Sequence, residues 1–152
     1  LIQRYKLPAR CLEMEVTETG LMEDIAAAAG HLNSLKKAGV QIAIDDFGTG
    51  YSSLSYLRGL PLDKIKIDRS FVQDVLVDED DATIVRAIIQ LGRSLNMQVI
   101  AEGVESAEQE AYITALGCNE GQGYYYSRPL SASAFDDWIR SYNTSRRQQA
   151  TH

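Results

Sequence analysis

Short apolar runs alternate with stretches of helical periodicity along the whole chain, and this limits the folds open to it more than any other feature. Residues 12–16, 40–44, 65–67, 99–101 and 123–126 read as strands. Residues 22–38, 80–95, 107–116 and 132–139 read as helices. The helix at 80–95 is the clearest, with Ile84, Ala87, Ile88, Leu91 and Leu95 on one stripe. Gly39 and Gly117 stand where helices close, and Ser106 and Ser131 where they open. Ser52 or Ser53 would cap a short helix over 52–57, and Pro61 breaks the chain after it. Strand, helix, strand, helix predicts a parallel α/β sheet. The strands look apolar throughout, as strands covered on both faces do.

Length then becomes a constraint. At 152 residues the chain has enough material for one domain with a core. A complete (β/α) barrel usually needs roughly 250 residues. No linker or fixed-period repeat divides the sequence. Its opening, Leu1 to Pro8, reads like the last turn of a helix, and the polar tail 143–152 is expected to fray.

Charge and residue counts exclude several functions. The net charge is −6, and no basic run precedes Arg146-Arg147, so a nucleic-acid polymer is not an expected partner. No apolar run approaches membrane-spanning length, so no direct membrane contact is expected. Cys11 and Cys118 match no metal spacing and read as reduced thiols, which sets a cytoplasmic expectation. His31 and His152 have no partner at ligand spacing, which leaves zinc-peptidase and Ser-His-Asp chemistry without support.

The chemistry sits where the strands end. Glu15 and Glu18 close the first run, Asp45 and Asp46 the second, Lys66 and Asp68 the third, Glu102 and Glu105 the fourth. Gln122 and Tyr124 accompany the fifth. A parallel sheet brings all its C-terminal strand ends to one edge, where ligands bind. Adjacent aspartates, expected to be buried, repel each other and need compensation. A divalent cation supplies it, and Mg²⁺ and Mn²⁺ favour carboxylate oxygens. Two such ions roughly 3.5–4 Å apart serve phosphodiester hydrolysis, with a lysine to orient water or neutralise phosphate. A single strand-end carboxylate can instead simply cap the next helix. Loop 48–53, with Gly48 and Gly50, permits close backbone approach to a ligand.

These residues carry a family resemblance. Asp45-Asp46-Phe47-Gly48-Thr49-Gly50-Tyr51-Ser52-Ser53-Leu54 resembles the signature loop of EAL-domain cyclic di-GMP phosphodiesterases. Glu15-Val16-Thr17-Glu18, Lys66-Ile67-Asp68, Ala101-Glu102-Gly103-Val104-Glu105 and Gln122-Gly123-Tyr124 resemble further segments of that family, in its order. The resemblance implies a TIM-type barrel, here incomplete, of about five parallel strands from the C-terminal part of the domain. Residues 1–142 would be that part. It implies hydrolysis of cyclic di-GMP to linear pGpG with one or two Mg²⁺ or Mn²⁺ ions, and inhibition by Ca²⁺. Glu15, Asp45, Asp46 and Glu102 would be metal ligands. Lys66, Glu102 and Gln122 would attend the attacking water and substrate. Glu18 would hold the loop that contains Gly48, Gly50, Ser52 and Ser53. Asp68, Glu105 and Tyr124 also match family positions.

The family's eponymous glutamate and a later asparagine ligand have no counterpart here, and the matching region begins after both. An isolated piece of this kind is expected to be inactive and to associate through its open edges. The resemblance further implies a homodimer, with loop 48–53 as a candidate contact. It implies upstream GGDEF or sensory domains, which can tether the whole protein to the inner membrane. A degenerate EAL domain that binds cyclic di-GMP or a partner without turnover is the alternative. A response-regulator receiver, which also pairs aspartates with a lysine, fits poorly because Lys66 lies only 21 residues after Asp45 with no strand between them for a phosphoacceptor.

Overall fold

The computed structural model describes residues 2–50 and 57–149. Five strands form one sheet in sequence order: β1 (Glu13–Thr17), β2 (Gln41–Phe47), β3 (Lys64–Ile67), β4 (Gln98–Glu102) and β5 (Glu120–Gln122). Every neighbouring pair is parallel. Each crossover must return the chain to the start of the next strand, and crossovers of this kind are right-handed. With strands in simple order, all the helices therefore pack on one face. This is the winding of a (β/α) barrel, left open here with β1 and β5 as edges.

The helices are α1 (Ile2–Tyr5), α2 (Glu18–Glu23), α3 (Ile25–Lys37), α4 (Arg69–Gln73), α5 (Glu79–Ser94), α6 (Ala107–Leu116) and α7 (Ala132–Gln149), with a 3₁₀ turn at Ala9–Cys11. The single helix expected over 22–38 is split. Asp24 takes an extended backbone, and its carboxylate accepts a hydrogen bond from the Ala27 N–H at 2.9 Å, starting a new helix. The last helix outruns its expected end at Ile139 and covers the start of the polar tail, through Gln149. The fifth strand lies earlier than expected, because Gln122 pairs with Glu102 and the tyrosines after it turn away. The Tyr126 N–H closes that turn on the Gly123 carbonyl at 3.1 Å. The short helix expected over 52–57 falls almost wholly outside the described residues.

Period two along the strands sorts their side chains between two unlike faces. Ile42, Ile44, Ile65, Ile67, Val99 and Ala101 pack outward against Val85, Ile88 and Ile89 of α5, Val72 of α4 and Ile113 of α6. Each of the valine and isoleucine side chains contributes roughly 1.5–3 kcal/mol by leaving water. The inner face is different. It carries Glu13 and Glu15 from β1, Lys64 and Lys66 from β3, Glu102 from β4, and Glu120 from β5. The strands are thus not apolar throughout. The inner face is ionic, and its lysines are buried among carboxylates.

Helix α5 sits so close to β4 that Gly92 has no room for a side chain. A Cβ there would stand 2.3 Å from Val99 Cγ2. Gly92→Ala is expected to lower stability by about 1–3 kcal/mol through overpacking. Chemical denaturation measures this, and an unchanged midpoint would contradict the packing described.

Candidate metal centre at the strand ends

A bulge in β2 creates the site. Ile44 pairs with Ile65 and Phe47 with Ile67, so Asp45 and Asp46 share the place of one partner residue on β3. Asp46 accordingly adopts φ 53°, a left-handed conformation that aspartate tolerates better than most residues. A regular strand would send adjacent side chains to opposite faces. The bulge brings both carboxylates to the same side, a re-aiming typical of bulges beside functional sites. Both aspartates lie within the strand, which runs three residues beyond its expected end at Ile44.

Glu102, at the end of β4, completes the group. Asp45, Asp46 and Glu102 each offer a carboxylate oxygen within 4.8 Å of the others. Lys66 reaches the same place from β3, and its Nζ lies 2.6 Å from Glu15, 2.9 Å from Glu102 and 3.0 Å from Asp45. Glu15 is bonded to this lysine but is not part of the tight carboxylate group. The aspartates are only partly buried, contrary to expectation, with the Asp45 side chain 21% exposed. Yet Asp45 Oδ1 itself is buried, and the lysine above it is not aligned to donate a hydrogen bond to it. That orphaned oxygen, in a cluster of four carboxylates around one ammonium, is what a hard divalent cation would satisfy. The donor set fits such an ion.

Burial and mutual repulsion set the proton affinities. Burial lifts the Glu102 carboxyl above its ordinary value, although Lys66 pulls the other way. Partial burial and the charges of Asp45 and Asp68 lift Asp46. Burial opposes the Lys66 ammonium, but the hydrogen bond to Glu15 and the close carboxylates of Glu102 and Asp45 outweigh it and keep the lysine charged. Asp68 follows β3 and caps α4. Burial opposes its charge too, but bonds from the Ser70 hydroxyl and N–H hold its carboxyl below the ordinary range.

A pH dependence follows. A carboxyl whose value is raised in the fold binds its proton more readily folded than unfolded. Asp46 and Glu102 therefore add stability as pH falls toward their ordinary values of 3.8 and 4.5. Asp68 acts oppositely, and its contribution is lost as pH falls below the ordinary aspartate value of 3.8. Metal-free protein is expected to melt highest on the acid side of neutrality, and Glu102→Gln to shrink the rise. Melting temperatures in chelator across a pH series measure this. A maximum at or above neutrality that Glu102→Gln leaves unmoved would contradict it.

The remaining expected residues surround this group. Glu18 is 2% exposed and accepts a hydrogen bond from the Gly48 N–H at 3.1 Å. A Cβ at Gly50 would stand 2.9 Å from Glu18 Oε1, so the loop lies directly on this carboxylate. Ser52 and Ser53 lie outside the described residues. Gln122, Tyr124 and Glu105 line a cleft of about 230 Å³ beside Glu102, together with Arg69. Arg69 bonds Glu105 at 3.1 Å, and the Arg128 guanidinium lies 4.4 Å from the Tyr124 ring centre. Sequence reasoning did not single out a second ionic layer one pleat away from Lys66. There Lys64 Nζ meets Glu13 at 2.9 Å and Glu120 at 3.0 Å. The spacing Lys-Ile-Lys opposite Glu-Met-Glu carried that signal, since charges at i and i+2 share a face.

Known proteins resemble the chain along most of its length. The sequence profile of the EAL domain matches residues 1–129. The cyclic di-GMP phosphodiesterase NbdA of Pseudomonas aeruginosa is 45% identical over 141 residues, covering 93% of this chain and 18% of that protein. The structure of the P. aeruginosa MucR phosphodiesterase in complex with c-di-GMP superposes with a TM-score of 0.85 at 48% identity, covering 88% of this chain and 54% of that one. A manganese and cyclic di-GMP complex of Klebsiella pneumoniae BlrP1 superposes with a TM-score of 0.78 at 35% identity, covering 85% of this chain and 33% of that one. The chain thus spans about a fifth of the length of its curated relatives. With the strand order, the strand-end carboxylates and the profile in agreement, the chain belongs to the EAL domain family.

Proposed function

We propose that the full-length protein hydrolyses cyclic di-GMP to linear pGpG, and that residues 1–142 are the C-terminal part of the domain that does so. The observation that carries this reading is the Asp45–Asp46–Glu102 group, with its oxygens within 4.8 Å and Lys66 against it. One or two Mg²⁺ or Mn²⁺ ions held there would raise the acidity of water and offset charge on a leaving oxygen. Asp45, Asp46 and Glu102 would hold the ions, with Glu15 beside them through Lys66. Among the relatives, NbdA carries the phosphodiesterase name and BlrP1 was solved with manganese and cyclic di-GMP.

The chain's own residues divide the remaining work. Lys66 stays protonated, so it cannot accept a proton. It orients water by donating hydrogen bonds and offsets phosphate charge. Glu102, 2.9 Å from Lys66, would complete the surroundings of the ions and help hold the attacking water. Water oxygen bonds to phosphorus, the P–O3′ bond breaks, and the departing oxygen gains a proton, which leaves a 5′-phosphate on linear pGpG. Gln122 lies at the cleft beside this point. Glu18 keeps the loop of Gly48 and Gly50 in place, and Asp68 and Glu105 frame the site.

The same reading takes the protein as a cytoplasmic homodimer with regulatory segments elsewhere in its chain. Among the described residues no helix is long and apolar enough to cross a membrane. The test is chromatography of cyclic di-GMP after incubation with full-length protein and Mn²⁺. Linear pGpG is the expected product. Intact cyclic di-GMP at micromolar enzyme would overturn the proposal, and tight binding without turnover would favour a binding module instead.

A further inference from the structure

Gln109 is a buried polar side chain in α6, away from the carboxylate group, and 8% exposed. Its Oε1 accepts from the N–H of Glu105 at 2.8 Å and of Ser106 at 3.0 Å. Its Nε2 donates to the carbonyl of Gln73 at 2.9 Å and of Val72 at 3.3 Å. Two N–H groups need an acceptor and two carbonyls need a donor, so only this orientation of the amide satisfies all four. Capping α6 requires less. The bond from the Gln109 N–H to Ser106 Oγ and the return bond from the Ser106 N–H already make a capping box. The bonds to Val72 and Gln73 reach a different helix.

The two segments joined this way both end at the metal group. Residues 103–106 leave directly from Glu102. Helix α4 starts directly after Asp68, whose carboxyl interacts with Asp46. A second contact joins the same segments, since Arg69 bonds Glu105 and its stem lies over Gly103. A Cβ at Gly103 would fall 2.3 Å from Arg69 Cγ, and φ there is +72°. The segments therefore approach closely, and Gln109 is the buried side chain that ties them at the end away from the cleft.

We propose that Gln109 is a positioning residue: it clamps the loop after Glu102 to α4 and so fixes Glu102 relative to the Asp46–Asp68 side of the carboxylate group. The clamp sets the affinity of that group for a divalent cation. Residues that orient ligands without touching the ion commonly affect affinity 10–100-fold. The proposal rests on the metal-centre reading above.

Titration of Mn²⁺ into full-length protein, followed by the electron paramagnetic resonance signal of free Mn²⁺, tests it. Gln109→Met keeps the length of the side chain and removes its polar atoms, and is expected to weaken binding about tenfold. Gln109→Glu keeps the acceptor toward Glu105 and Ser106 but loses the donor toward α4, and is expected to weaken binding as well. Where Gln109→Met does not fold, Gln109→Glu carries the comparison. Ile113→Val and Ile113→Ala, one turn further along α6 in the core, bracket the stability loss without touching the clamp. They are expected to leave Mn²⁺ affinity within about twofold, which separates positioning from a general loss of stability. Gln109 variants that bind Mn²⁺ like wild type, or that weaken only as far as Ile113 variants of equal stability, would overturn the proposal. Wild type that binds no Mn²⁺ would overturn the metal-centre reading itself, and the role of Gln109 with it.

Discussion

Asp45→Asn in the full-length protein is expected to lower cyclic di-GMP hydrolysis by about 10²-fold or more, the scale seen when one preorganised electrostatic partner is removed. Its metal-free fold is expected to be at least as stable as wild type. Asparagine nearly matches aspartate in shape, so the bulge persists. One charge leaves a group in which four carboxylates face one ammonium. Repulsion from Asp46 falls, and Lys66 keeps Glu15 and Glu102 as partners. The buried Oδ1 that has no hydrogen-bond partner loses its charge, and with it the best reason for a cation to sit there. Thermal melts separate these effects. At a hundredfold excess over its dissociation constant, a bound ion stabilises wild type by about 2.7 kcal/mol, and Asp45→Asn should show little of that gain. Activity within tenfold of wild type, or full stabilisation by Mn²⁺, would contradict the assignment of Asp45.

Lys66→Met carries the second large effect, on stability. The Lys66 side chain is 5% exposed, and its ammonium lies within 3.0 Å of three carboxylates. Methionine matches the stem but leaves those charges facing one another. Breaking a buried ion pair from one side costs 3–5 kcal/mol. The Glu15 side chain is 48% exposed and relaxes into water, so the expected loss is about 3 kcal/mol, at the low end of that range. Divalent cation replaces the missing positive charge, so Mn²⁺ is expected to restore more stability to Lys66→Met than it adds to wild type. Hydrolysis should nonetheless stay low, because the group proposed to orient water and meet phosphate is gone. Urea denaturation with and without Mn²⁺ measures both terms. Equal stability of variant and wild type in chelator would show that Lys66 does not hold the inner face together.

Much of this was legible from residue types and spacing. Alternation of apolar runs with amphipathic stretches gave the parallel sheet, and parallel strands place Glu15, Asp45, Lys66 and Glu102 at one edge. Ser106, Gly117 and the stripe on 80–95 located α6 and α5 closely, because capping and periodicity are local. What escaped the sequence depends on long-range pairing. The bulge that turns Asp45 and Asp46 to one side exists only in register with β3. The tyrosines after Gln122 have high strand propensity, yet Gln122 is the last residue that β4 can pair. The helix expected at 22–38 failed for a local reason, since Asp24 in its interior was an available cap. Only Ser106 is marked in the sequence as the cap of α6, and it takes the approach of α4 to give Gln109 its task.

On this reading the strand-end carboxylates hold a divalent cation for phosphodiester hydrolysis. Anomalous diffraction from crystals of the full-length protein soaked in Mn²⁺ tests it most directly. A manganese peak bounded by the carboxylates of Asp45, Asp46 and Glu102 is the predicted result, absent in Asp45→Asn crystals. No peak at that position under saturating Mn²⁺, or an ion held elsewhere while cyclic di-GMP is still hydrolysed, would contradict it.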